Sequence, residues 1–231
     1  MRVLFLGNSH TYFNDMAASF TEFYEILTGE NAEVTALMHP CKNFEWHMKE
    51  YYEVRFNLMY GNYDYCIMQQ AAHPFQGEGT TIEDGKKLVA LCEKTNTIPV
   101  FTVTWSEEFH PESQEPMIEV FEKLSIETGA KLAKVGQVWK IIRDNYPEIP
   151  LYWHDGEHAS SYGSYLNACL LASLISGKSP IGLPSIGKDF LKEMNVAADA
   201  GIAIDNKLDV IEELNHAYCE KIQKVIHDVI F

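Results

Sequence analysis

The chain has 231 residues, 46% of them apolar and 12% aromatic, which is enough to bury one sizeable core and unlike a disordered composition. Its 33 acidic residues against 18 basic ones give a formal net charge of −15. That balance argues against nucleic acid as a partner, because such binding needs a cationic footprint. There are 5 cysteines, no C-x-x-C pair and no apolar run of transmembrane length. A strand pattern starts at residue 2 with no leader ahead of it. These features predict a cytoplasmic protein with reduced, mostly buried thiols and no membrane partner.

Val3-Leu4-Phe5-Leu6 is a short continuous apolar run ending at Gly7, the pattern of a strand buried on both faces. A helix is predicted from Asp15 to Leu27, closed by Gly29. Strand candidates follow at Glu33–Met38, Tyr63–Met68, Ile98–Thr104 and Lys131–Val135. Helices fall between them at Phe44–Tyr60, Ile82–Lys94, Glu115–Thr128 and Gln137–Asn145. Strict alternation of this kind implies a parallel sheet with helices on both faces. The predicted fold is therefore α/β, a three-layer α/β/α sandwich around about five parallel strands, flavodoxin-like. From Leu151 the rhythm changes to a loop, then to a helix capped by Ser160 or Ser161 and stopped by Gly177 and Pro180. One amphipathic helix is predicted from Leu208 to Ile230. The chain reads as a single domain, 1–231, with a C-terminal helical extension from about 182; residues 181–204 give no clear pattern.

Ligands of open parallel sheets bind beyond the carboxyl ends of the strands. The first strand runs into Gly7-Asn8-Ser9-His10-Thr11, which puts a serine at that edge, just before a helix. Its backbone N–H is available to a developing anion there; the plainer reading is a turn before a helix cap. A serine needs a base to become a nucleophile. Among 9 histidines, His158 has Asp155 three residues before it, a spacing that sets carboxylate beside imidazole on a loop entering a helix. Alone, that pair also reads as an ordinary Asp-Gly turn.

Gly-Asn-Ser-x-Thr near the start together with Asp-x-x-His late in the chain resembles the SGNH or GDSL hydrolases. The resemblance continues through Tyr63–Gln69, in the branch where glutamine replaces asparagine, and through Thr128–Lys131, Val135–Trp139 and Asp155–Leu166. It spans about residues 2–180. It implies a serine esterase with Ser9 as nucleophile, His158 as base and Asp155 as orienting acid. The oxyanion donors it implies are the N–H of Ser9, the N–H of Cys41 and the side-chain amide of Gln69. It implies no cofactor, a small-molecule ester as substrate and, within this branch, a short-chain, O-acetyl, carbohydrate-linked ester. Gln69 also reads as an amide tying two loops together.

The second block departs from the family pattern. At His39-Pro40-Cys41-Lys42-Asn43 the branch carries a Gly-Gly pair near Pro40-Cys41, and proline has no N–H to give. Cys41 then becomes the backbone donor, with Asn43 as fallback. That departure motivates an alternative, a non-catalytic member binding a small ligand or carbohydrate. Cys41, between His39 and His47, also admits a nucleophilic-cysteine reading, though such residues are more often simply packed. A minor alternative is a zinc hydrolase, because His154–His158 matches H-x-x-E-H; that motif requires a helix, and Asp155-Gly156 sits inside it. Asn8, His10, Asn43, His73 and Trp105 are candidate substrate-binding residues. His110 lies at another strand end, and Trp46, Tyr12 and Phe13 are candidates for an aromatic wall or for core.

Overall fold

The structure, a computed structural model, describes residues 1–75, 77–188 and 211–231. Five parallel strands form the central sheet: β1 (Arg2–Gly7), β2 (Glu33–Met38), β3 (Tyr65–Gln69), β4 (Ile98–Thr102) and β5 (Lys131–Ala133), in the order β2-β1-β3-β4-β5. Parallel neighbours demand long crossovers, and helices supply them. They are α1 (Ser9–Tyr12) and α2 (Met16–Thr28) after β1, α3 (Phe44–Lys49) and α4 (Tyr51–Gly61) after β2, α5 (Glu78–Glu93) after β3, and α6 (Gln114–Thr128) after β4. α7 (Val135–Asn145) follows β5, and α8 (Ser161–Ser176) follows the loop beyond it. This is the flavodoxin-like strand order, whose direction reverses between β1 and β3 and leaves a crevice at their carboxyl ends.

The pleat divides the core in two. Val3, Phe5, Ile67 and Val100 face one side, packed with Phe20 and Phe23 of α2, Trp139 of α7 and Leu166 of α8. Leu4, Leu6, Met68 and Phe101 face the other, against Phe44, Leu58, Leu88 and Phe121. Burial on both faces explains why these strands read as continuous apolar runs rather than alternating ones. Every residue of α8 from Gly163 to Ser173 is buried. A Cβ on Gly163 would lie 2.4 Å from the Leu151 carbonyl oxygen and 2.5 Å from the Trp139 ring, so only glycine allows this approach.

Several predicted boundaries move. The helix expected over 44–60 breaks at Glu50, whose backbone leaves the helical region (φ −79°, ψ 42°). The strand expected to reach Thr104 ends its ladder at Thr102. The segment read as a helical extension also carries an antiparallel pair, β6 (Ile186–Lys188) with β7 (Ile211–Glu213). The C-terminal helix accordingly starts at His216, capped by the Asn215 side chain, and not at Leu208. A three-residue pairing between distant segments leaves no periodicity to read. Leu183, Leu214, Ile222 and Ile226 join the same core cluster as Val3 and Phe5. Residues 189–204 of the unclear stretch, and 208–210 of the predicted helix, lie outside the described residues. Among the described residues no helix is long and apolar enough to cross a membrane.

Candidate active site

Ser9 sits where the chain leaves β1 for α1. Asn8 caps that short helix in an extended conformation, its Oδ1 accepting from the His10 N–H at 3.0 Å. As the first residue of α1, Ser9 has no carbonyl within that helix for its own N–H. Gly7 is a steric requirement: a Cβ there would stand 2.8 Å from Thr11 Oγ1 and 2.9 Å from Gln69 Oε1.

The last block reaches Ser9 across 149 residues of sequence. His158 Nε2 lies 2.8 Å from Ser9 Oγ, and His158 Nδ1 lies 2.7 Å from Asp155 Oδ2. The carboxylate is fixed by its other oxygen, since Asp155 Oδ1 accepts from the N–H of Glu157 and of His158, each at 2.9 Å. Gly156, at φ 73°, supplies the left-handed residue that closes this turn. Burial works against the Asp155 carboxylate, but the Glu157 amide, the His158 ring and the His158 amide outweigh it and hold its pKa below the usual range. The carboxylate thus stays charged at neutral pH and accepts from His158 Nδ1–H, which leaves the Nε2 lone pair aimed at Ser9.

Side-chain hydrogen bonds from Asn14, Ser164 and Trp105 fix the last block in place. Asn14, in the left-handed region at φ 53°, donates through Nδ2 to the Ala159 carbonyl at 3.0 Å and to Ser164 Oγ at 2.8 Å. Ser164 Oγ donates to the Phe13 carbonyl at 3.2 Å. Trp105 Nε1 donates to the Glu157 carbonyl at 2.8 Å. The imidazole of His158 is sandwiched between the Phe13 ring (centroids 4.0 Å, 13°) and the His10 ring (5.1 Å, 21°).

The second block forms a turn closed by the Lys42 N–H on the His39 carbonyl at 3.2 Å. Cys41 stands in it at φ 61°, in a conformation that favours glycine. The turn is pinned beside Ser9 by Asn8 Nδ2, which donates to the Lys42 carbonyl at 3.0 Å. Cys41 is exposed, whereas the other four cysteines are buried. Burial raises the pKa of Tyr12, with Cys41 adding to the rise and the Ser9 side chain opposing it. Asn43 Oδ1 caps α3 by accepting from the Trp46 N–H at 2.9 Å. Gln69 is buried, and its amide ties loops together: Oε1 accepts from the Asn8 N–H at 3.0 Å and Thr11 Oγ1 at 3.1 Å, while Nε2 donates to the Gln70 carbonyl.

The remaining candidates scatter. Asn8, His10 and Trp105 are 1%, 7% and 1% exposed, and each has polar protein partners. Trp105 stacks on Trp139 at 4.1 Å. His73, half-buried, bonds His10 and the Trp105 carbonyl. His110 is exposed and pairs with Glu112. Trp46 is half-buried under Lys42, beside His39. The zinc alternative meets a correction: residues 154–157 form a turn, so His154 and His158 share no helix face, and both His158 nitrogens already have partners. Among the described residues no three His, Cys, Asp or Glu side chains converge on a metal site. The sequence reads Phe13 as a wall or core aromatic and does not single out Asn14; neither belongs to a recognisable spacing.

No family model matches the chain, and no curated protein sequence matches it. Solved structures do. A DUF4886 family protein from Bacteroides uniformis superposes with a TM-score of 0.67 at 14% identity, covering 100% of this chain and 94% of that one. A lipase/acylhydrolase from Enterococcus faecalis gives 0.61 at 12% identity over 76% of this chain and 95% of that one. An acetylxylan esterase from Geobacillus stearothermophilus gives 0.59 at 13% identity, with 79% and 94% covered. The chain therefore has the fold of the SGNH/GDSL hydrolases, with its Ser-His-Asp cluster at the carboxyl edge of β1.

Proposed function

We propose that the protein is a serine esterase acting on a small-molecule ester through Ser9, His158 and Asp155. The observation that carries this reading is the unbroken hydrogen-bonded series from Ser9 Oγ through both His158 nitrogens to Asp155, at 2.8 and 2.7 Å. His158 Nε2 takes the Ser9 proton as Oγ attacks the ester carbonyl carbon. The same proton then passes to the departing alcohol, leaving Ser9 acylated. Water, deprotonated by His158, releases the acid and restores the hydroxyl. Asp155 holds the productive tautomer and offsets the imidazolium charge. The oxyanion is held by the N–H of Ser9 and of Cys41. Gln69 Nε2 joins them through the hydrogen not directed at Gln70, since an amide carries two.

Short acyl groups, acetyl on a carbohydrate among them, are the substrates favoured. The support is the likeness to acetylxylan esterases, an argument from fold. Hydrolysis of p-nitrophenyl acetate and of acetylated xylo-oligosaccharides tests the reading. The wild type should turn over at least the activated ester, and Ser9→Ala should lose about 10⁴-fold or more. A phosphonate ester should label Ser9, located by mass spectrometry of the modified peptide. A wild type inert toward every acyl length, yet binding acetylated sugars, would establish a non-catalytic binding protein instead.

A further inference from the structure

Behind the cluster, His10 and His73 face each other with Nε2 and Nδ1 3.0 Å apart, although the sequence separates them by 63 residues. The outer nitrogen of each ring meets a fixed acceptor. Asn8 cannot be turned over, because its Oδ1 accepts the His10 backbone N–H and its Nδ2 donates to the Lys42 carbonyl. His10 Nδ1, 3.1 Å from that Oδ1, must therefore carry a proton to bond it. On the far side, His73 Nε2 lies 3.2 Å from the backbone carbonyl of Trp105, which also only accepts. The contact between the rings needs a third proton. Two neutral imidazoles hold two, so a neutral pair leaves two lone pairs opposed somewhere in the series; one added proton satisfies all three contacts.

The pair is not remote from the proposed chemistry. The His10 ring covers one face of His158 at 5.1 Å and 21°, and His73 meets the edge of His10 at 4.5 Å. Titratable neighbours are few. His10 faces His73 and His158; His73 also feels Glu107, Glu157 and His158; and His158 carries Asp155 on its far nitrogen. Burial lowers the proton affinity of His10 well below the ordinary value, with His73 and His158 adding to that. Burial lowers His73 too, opposed by the Trp105 carbonyl and the two glutamates.

We propose that His10 and His73 act as one proton-sharing unit that positions His158 and sets its strength as a base. The inference rests on the reading of His158 as the base. When neutral, the unit gives His158 an uncharged stacking face, and the imidazolium formed during acyl transfer is tolerated. On acidification one proton from water enters the Nε2···Nδ1 contact, and no other bond changes. The unit is then a cation lying against the ring that must itself become a cation, and it opposes formation of the His158 imidazolium. The acid limb of the rate profile then reports two protons rather than one.

The test has one arm that needs no catalysis. In the Ser9→Ala protein, ¹⁵N shifts of the His10 and His73 rings, followed from about pH 8 to 4, should move together through one midpoint. Separate midpoints, or two rings unchanged across that range, would overturn the proposal whatever the enzyme does. In the second arm, kcat/KM for p-nitrophenyl acetate is normalised to its own plateau. The wild-type acid limb should exceed a slope of one, approaching two, and His73→Gln should return it to one. His10→Phe, which keeps a ring on the face of His158, should do the same if His73→Gln does not fold. An unchanged slope in a folded variant also overturns the proposal. Joint titration in a wild type with no hydrolytic activity would instead remove the catalytic reading and leave the shared proton standing.

Discussion

The two sides of Ser9 are built differently. On the side proposed to transfer the proton, each polar atom has a close partner: Asp155 uses both oxygens, His158 both nitrogens, and aromatic rings stack on the imidazole. On the side proposed to hold the oxyanion, Gln69 is engaged with Asn8, Thr11 and Gln70, and Cys41 occupies a glycine's conformation. The contrast follows from what each task requires. Proton transfer depends on particular side chains at hydrogen-bond distance, so residue identities there are constrained. An oxyanion needs backbone N–H groups, which any residue except proline carries, so identity can drift while the backbone conformation is kept.

The sharpest way to break that contrast is to alter the proton side without changing its shape. Asp155→Asn keeps the oxygen that accepts from the Glu157 and His158 amides. Its NH₂ then faces His158 Nδ1 and forces the tautomer whose Nε2–H points at Ser9. Turnover of p-nitrophenyl acetate should fall by about 10⁴-fold with the fold intact by circular dichroism. A loss below about tenfold would mean that His158 is not working as a base.

A smaller effect probes the anion side through its support. His47, on α3 behind the second block, is fully buried, with Nε2 3.3 Å from the Gly7 carbonyl and Nδ1 without a hydrogen-bond partner. Burial lowers its pKa to about 4, partly opposed by that carbonyl. The native state thus refuses a proton that the unfolded chain accepts. Stability is fully present above the unfolded value of about 6.5 and falls as pH drops from there toward 4. The loss should total roughly 3 kcal/mol. Urea unfolding at stepped pH measures it, and His47→Gln should flatten the slope by that share. An equal slope in the variant would assign the pH dependence elsewhere.

How much of this was legible in sequence follows the same division. Strand–helix alternation gave the five-stranded layer, and two short motifs placed Ser9 and His158 at one edge because each marks a local strand or loop end. The rest depends on side chains meeting across long separations. Phe13 on His158, Asn14 on Ala159 and His10 on His73 are set by the crossing of loops, and no spacing encodes them. Gln69 admitted two roles from its position alone, and only its partners show the tie to Asn8. The strand pair of Ile186–Lys188 with Ile211–Glu213 is too short and too distant for a periodic signal.

The smallest effect bears most directly on the anion side. If Cys41 contributes only its backbone, then its side chain is a cost, because a Cβ at φ 61° crowds the adjacent carbonyl. Cys41→Gly should therefore raise stability by about 1 kcal/mol, read as a higher urea midpoint at constant m-value. It should leave kcat for p-nitrophenyl acetate within about threefold, since the N–H that stabilises the anion is unchanged. Stabilisation with preserved turnover would make the cysteine side chain a tolerated burden at a position whose conformation favours glycine. A fall of about 100-fold or more would show that the thiol itself takes part. The two sides of Ser9 would then be equally dependent on side-chain chemistry.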